Sequence, residues 1–211
     1  HAPTLSTGHI EQCLPGMRRN VALLAMSQAL LQSGNALLIA SSGLVGLVLA
    51  PSPAFAAVAL GIQFLCTMLL TLPASLLMQS IGRRAGFLLG TALGFSGAAL
   101  FSTGVYLQSF TLFCLGAPLF GSFNAFGQYY RFAAADVSTE SFRSRAISLV
   151  LATGIVAAFL GPNLANWTRD VVGSYSFLGS YLSLCVLTVV ATLVLVWIRI
   201  PKTFGRGVET T

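Results

Sequence analysis

The sequence predicts an all-α membrane protein with six transmembrane helices, and three observations lead there. The 211 residues are 55% apolar and only 8% charged, where a soluble domain carries roughly a quarter charged residues. Six runs are long and apolar enough to cross about 30 Å of hydrocarbon as helices. Once those runs are threaded through a bilayer, nearly all the basic residues fall on one side. The mean hydropathy of +0.84 agrees, and a chain this apolar has ample surface to bury, which argues against disorder.

The runs are residues 21–49, 54–78, 86–107, 110–135, 146–167 and 177–200, inside one transmembrane domain at 17–205 that is followed by a short cytoplasmic tail at 206–211. Pro51 and Pro53 turn the chain after the first run, Gln108 and Ser109 after the third, and Arg169 to Ser176 after the fifth. Turns this short make successive helices antiparallel. Arg18, Arg19, Arg83, Arg84, Arg131, Arg143, Arg145, Arg199, Lys202 and Arg206 then share one face, and Arg169 stands alone on the other. Basic residues are retained on the cytoplasmic side, so both termini are expected there.

The net charge of +6 does not indicate nucleic acid, which needs basic residues clustered on an exposed face among aromatics. Here they come in ones and twos between apolar runs, and membrane lipid is the expected surrounding. Residues 1–16 lack the pattern of a signal sequence and read as a flexible N-terminal extension, with Met17 ahead of Arg18 and Arg19 as a natural translation start. His9 and Cys13 in that segment have helical ligand spacing but lack two further ligands, so neither metal nor cofactor is expected. Cys13, Cys66, Cys114 and Cys185 are far apart and read as small buried apolar residues, not a disulfide framework.

Polar side chains within the runs carry most information, because in hydrocarbon each needs a partner or water. Gln28, Gln32 and Asn35 fall in one narrow stripe of the first helix. Asn124, Gln128 and Arg131 repeat the spacing in the fourth, and Gln63, Thr67 and Thr71 share a face of the second. The first and fourth runs open successive three-helix groups, so the stripes suggest matching places in a 3+3 repeat. Two readings are open: the stripes line a wet central cavity, or the amides bond to neighbouring helices. The shared spacing favours the cavity.

Gly86, Gly90 and Gly94 recur every four residues, as do Gly154, Ala158 and then Gly161 with Pro162 at similar intervals, and both patterns predict close helix packing. Pro162 also removes a backbone donor mid-helix, giving either a pivot or a fixed kink. Catalytic arrangements are missing: the two histidines lie in the N-terminal segment, no run holds paired carboxylates, and no phosphate-cradling loop is present. Neither an enzyme nor an ATP-driven pump is expected.

Residues 75–84, Ser75-Leu-Leu-Met-Gln79-Ser-Ile-Gly82-Arg83-Arg84, resemble the signature loop between helices 2 and 3 of the major facilitator superfamily. Gly154-Ile-Val-Ala-Ala-Phe-Leu-Gly161-Pro162 resembles its helix 5 antiporter-type motif, and Arg143-Ser-Arg145 its basic helix 4–5 loop, where Asp136 and Glu140 are placed to pair with Arg131, Arg143 and Arg145. The opening Met17-Arg-Arg-Asn20 and the run Gln32 to Ala40 resemble a bacterial subgroup with copper-uptake and riboflavin-uptake members. Met26, Met68 and Met78 do not form the close methionine pair of the copper type.

The resemblance implies a bacterial inner-membrane permease fold of two six-helix halves, of which this chain matches the N-terminal one. Ser75 stands where the motif usually has Gly, and Gln79 where it has an Asp that helps latch the halves together, which puts that latch in doubt. Because solute binds between halves, the implied function is a half-size transporter for a small solute, working only as a dimer or with a second half from a separate chain. The alternative is a non-transporting accessory or scaffold subunit of a larger membrane complex.

Overall fold

A computed structural model describes residues 16–198; the expectations for residues 1–15, for Arg199, Lys202 and Arg206 and for the 206–211 tail lie outside them. The order is α1 (Met17–Leu49), a single 3-10 turn (Pro53–Phe55), α2 (Val58–Ile81), α3 (Arg83–Tyr106), α4 (Phe110–Gly127), α5 (Tyr130–Asp136), α6 (Glu140–Thr168) and α7 (Leu178–Val196). Six stretches are long and apolar enough to cross a membrane, α4 and α5 together making the fourth.

Helix ends differ from the apolar runs in an informative way. α6 begins six residues before the apolar run, with Glu140 in its first turn, where a carboxylate meets the positive end of the helix dipole. α2 likewise runs on through Gln79 and Ser80. The fourth span is not the single helix expected over 110–135. It breaks at Gln128 and Tyr129, whose amides bond back to Asn124 O at 3.0 Å and Phe126 O at 3.2 Å, a tightened last turn.

The packing is a 3+3 inverted repeat. α1 lies along α6 as α4 lies along α2; α3 packs on α4 as α7 packs on α1, and α3 meets α7 at the exchange point. Exchanging the first three spans with the last three therefore maps the contacts onto themselves. The expected glycine packing holds in α3: a methyl group on Gly90 or Gly94 would run into Phe126 or Phe123 of α4. Around these sits an aromatic core in which Phe101 contacts Phe113 at 5.0 Å and Tyr181 at 5.7 Å between ring centroids. The Tyr181 hydroxyl receives a bond from Ser41 at 3.2 Å, tying α7 to α1. Cys66, Cys114 and Cys185 are free and half-buried, less enclosed than the sequence suggested.

One end of the bundle gathers the arginines. Arg19 donates to Trp197 O at 3.1 Å and Arg84 to Val196 O at 2.7 Å, so two cations meet the negative end of α7. Because Arg19 opens α1 while Trp197 ends the described part of α7, both described ends of the chain share this end. At the other end lie the 50–57 turn, Gln108 with Ser109, and the 169–177 connection.

Candidate functional site

The polar stripes converge on Asn35. Its Nδ2 donates to Asn124 Oδ1 at 2.7 Å and to Gln32 Oε1 at 3.2 Å, while its Oδ1 accepts from Asn124 Nδ2 at 2.8 Å and Gln63 Nε2 at 3.1 Å. Both amide protons and both lone-pair directions of Asn35 are thus used. Three helices, α1, α2 and α4, meet through this one side chain. Asn124 and Gln63 are buried, and Asn35 and Gln32 are partly exposed. Thr67 extends the cluster, donating to Gln63 O at 2.9 Å and Gly121 O at 3.2 Å, and Tyr129 OH donates to Thr71 O at 2.7 Å.

The stripes of α1 and α4 meet at one level and not along their whole length. α1 and α4 are antiparallel, so Asn35 pairs with Asn124, and Gln28 and Arg131 both lie from there toward the arginine-rich end. Only the Asn35–Asn124 level is shared by the two repeats. Gln28 is half-buried and Gln128 and Arg131 are exposed, and none of these three joins the amide cluster. Arg131 stacks on its neighbour Phe132 at 5.0 Å.

Several motif residues sit differently from expectation. Ser75 and Gln79 belong to α2, and the only residue between α2 and α3 is Gly82, at φ 91° and ψ 156°; side chains rarely tolerate that backbone region. Arg83 and Arg84 therefore open α3, against its dipole. Arg83 is offset by Asp136 at 2.7 Å. Asp136 thus pairs across to α3 and not with Arg131, Arg143 or Arg145, because α5 ends beside the start of α3. Glu140, Arg143 and Arg145 form the exposed first turns of α6, without an ion pair among the described residues.

In α6, Gly161 lies against α1: a methyl group there would strike Ala36, Ser33 O and Leu37 N. Gly154 has open space on its side-chain position, so the predicted tight contact applies to Gly161 and not to Gly154. The helix runs through Pro162 unbroken, with Asn163 Nδ2 donating to Phe159 O at 2.7 Å next to the missing backbone bond. The break at Tyr129, and its bond to α2, were not anticipated; Gly127, where a methyl would meet Leu31 of α1, was the nearest local signal.

α2 and α6 turn broad apolar faces outward, including Met68, Leu72 and Leu76 on α2 and Ile155, Val156 and Phe159 on α6. An inverted six-helix bundle, polar at its centre and uncovered along its second and fifth spans, is one half of a major facilitator fold, and the chain is an integral membrane protein. A family profile described as sugar (and other) transporter matches residues 7–211, and the chain belongs to that family within the major facilitator superfamily. It is 40% identical over 185 residues to the riboflavin transporter RfnT of Brucella anthropi, covering 88% of this chain and 46% of that protein. It is 28% identical over 120 residues to the uncharacterized major-facilitator-type transporter YddS of Bacillus subtilis, covering 56% of this chain and 28% of the relative. The fold matches that of FucP, a major facilitator transporter in the outward conformation, with a TM-score of 0.68 at 18% identity over 86% of this chain and 50% of that one. The chain therefore spans about half the length, or less, of the proteins it matches.

Proposed function

We propose that this chain is one six-helix half of a transporter for an uncharged polar solute of the flavin type, set in a bacterial inner membrane with both termini cytoplasmic. The observation that carries this is the charge-free amide cluster on α1, α2 and α4, with Gln28, Gln32, Gln128 and Arg131 continuing from it toward the arginine-rich end. Riboflavin is neutral, and its ring edge and polyol chain offer the donors and acceptors that amides recognise. The identity with a riboflavin transporter supports that choice. Asn35, Gln63 and Asn124 form the floor of the site, and Gln32, with spare bonding capacity, reaches the solute.

The outward apolar faces of α2 and α6 support completion by a second six-helix unit, since solute in this fold lies between two such units. Arg83 with Asp136 ties the start of α3 to the end of α5.

The test is uptake of labelled riboflavin by a riboflavin-auxotrophic bacterium that lacks its own transporter and carries this chain, with native mass spectrometry of the same membranes. Expected are uptake, its loss in Gln32→Ala and Arg131→Ala at unchanged protein level, and a twelve-helix assembly. A twelve-helix assembly without riboflavin flux removes the substrate assignment. A fixed place in a larger complex without any flux makes the chain an accessory subunit and overturns the transport reading.

A further inference from the structure

At the end away from the arginine cluster lies a cavity of about 500 Å³, between the last turns of α1 and α3 and the connection from α6 to α7. Its floor is apolar, made by Leu44, Leu47, Val48 and Val105. Its rim is polar, with Gln108, Ser174, Ser176 and one cation, Arg169. Arg169 is the only basic residue at this end of the bundle among the described residues. Its guanidinium stacks over Phe177 at 4.8 Å, and its one carboxylate neighbour is the exposed Asp170 at 3.9 Å. Such a long, exposed pair leaves the cation available.

The backbone at this cavity is unusual. Among the described residues, the two non-glycine residues with positive φ are Gln108 at 52° and Phe177 at 67°, and both line it. Gln108 closes α3 as the left-handed residue of a Schellman turn, Ser109 N bonding to Gly104 O at 2.8 Å and Gln108 N to Val105 O at 3.3 Å. Phe177 N bonds to Arg169 O at 2.9 Å, folding the connection back on itself. A glycine meets such geometry without strain, as the chain does at Gly16 and Gly82; a side chain there costs about 1 kcal/mol or more. What glutamine and phenylalanine add is a polar group at the rim and a ring beneath the arginine. Strain kept where glycine would serve points to a site.

We infer that this cavity binds an anionic phospholipid, its phosphodiester on Arg169 with Gln108 and the two serines around it, and its upper acyl segments on the leucine and valine floor. The apolar floor argues against free phosphate, and the cation argues against a neutral lipid. The exposed Trp167 and the Tyr106–Tyr175 pair, 5.1 Å apart, put this level of the bundle at the interface where headgroups sit.

The test is photo-crosslinking in nanodiscs with phosphatidylglycerol carrying a diazirine near the glycerol, followed by peptide mapping. Expected is labelling of residues 44–49 and 169–177, falling about fivefold in Arg169→Gln, the effect of one basic residue at an anionic surface. Labelling near Arg18 and Arg83 stays unchanged and serves as the internal reference. Leu47→Trp fills the floor without altering charge and should remove the same labelling, which keeps the test decisive if Arg169→Gln folds poorly. Equal labelling by the matching phosphatidylcholine probe, or no loss in either variant, overturns the site. Competition by millimolar inorganic phosphate would show an anion site without lipid character and overturn the lipid assignment.

Discussion

Asn35 uses every bond it can make inside the protein, so its removal strands partners on two other helices. Asn35→Ala leaves Asn124 short of two bonds and Gln63 short of one. Interhelical bonds of this kind contribute about 0.6–2 kcal/mol each in bilayers, so with three of them lost the variant should lose roughly 2–6 kcal/mol in reversible unfolding from bicelles. Gln32→Ala gives up a single 3.2 Å bond at a partly exposed position and should change stability by less than about 0.6 kcal/mol. Equal losses in the two variants would refute the hub role of Asn35. A second prediction concerns Asp136. Asp136→Asn leaves Arg83 facing the positive end of α3, and should lower the midpoint of thermal unfolding, with Arg83→Gln restoring part of it in the double variant. Which residues were polar and which faces they shared was legible in the sequence, because the spacing of amides along one helix is local. Their partners were not: the pairing of Asn35 with Asn124 follows from which helices pack together and at what level they meet, and that of Asp136 with Arg83 from where two helix ends happen to meet.

α6 illustrates what a helix contact demands. Gly161 seats the helix on the backbone of α1 at Ser33 and Leu37, and a larger side chain must push the two apart. Gly161→Val should therefore cost about 1–3 kcal/mol or more through overpacking, read as early aggregation when detergent-solubilised protein is heated. Gly154→Val meets open space and should leave that temperature unchanged. Loss in both would mean the α1–α6 contact is placed wrongly. The six spans were legible because an apolar run reports the thickness of the bilayer. Their ends were not, because α6 and α2 continue as helices into water, where charged and polar residues no longer mark a boundary. The break between α4 and α5 left no proline to announce it.

For the whole molecule, six spans joined by short turns place alternate connections at opposite ends. Single cysteines at Ser52 and Ser174 should react with an impermeant maleimide from one side of oriented vesicles, and cysteines at Ser80 and Ser141 from the other. Mixed reactivity within either pair would contradict the inverted bundle. The connections also bear on how the protein enters the membrane. None of the three segments at the far end carries net charge: residues 50–57 and 107–109 hold no ionisable side chain, and in 169–177 Arg169 is cancelled by Asp170. Moving one elementary charge through 100 mV takes about 2.3 kcal/mol. In the proposed orientation, with the arginine-rich end cytoplasmic, threading these segments across does no net electrical work, while the arginines that would make it costly sit on the tips that stay behind. Insertion of this bundle should proceed equally well in energised and de-energised membranes, its direction fixed by what is held back and not by what is pulled through.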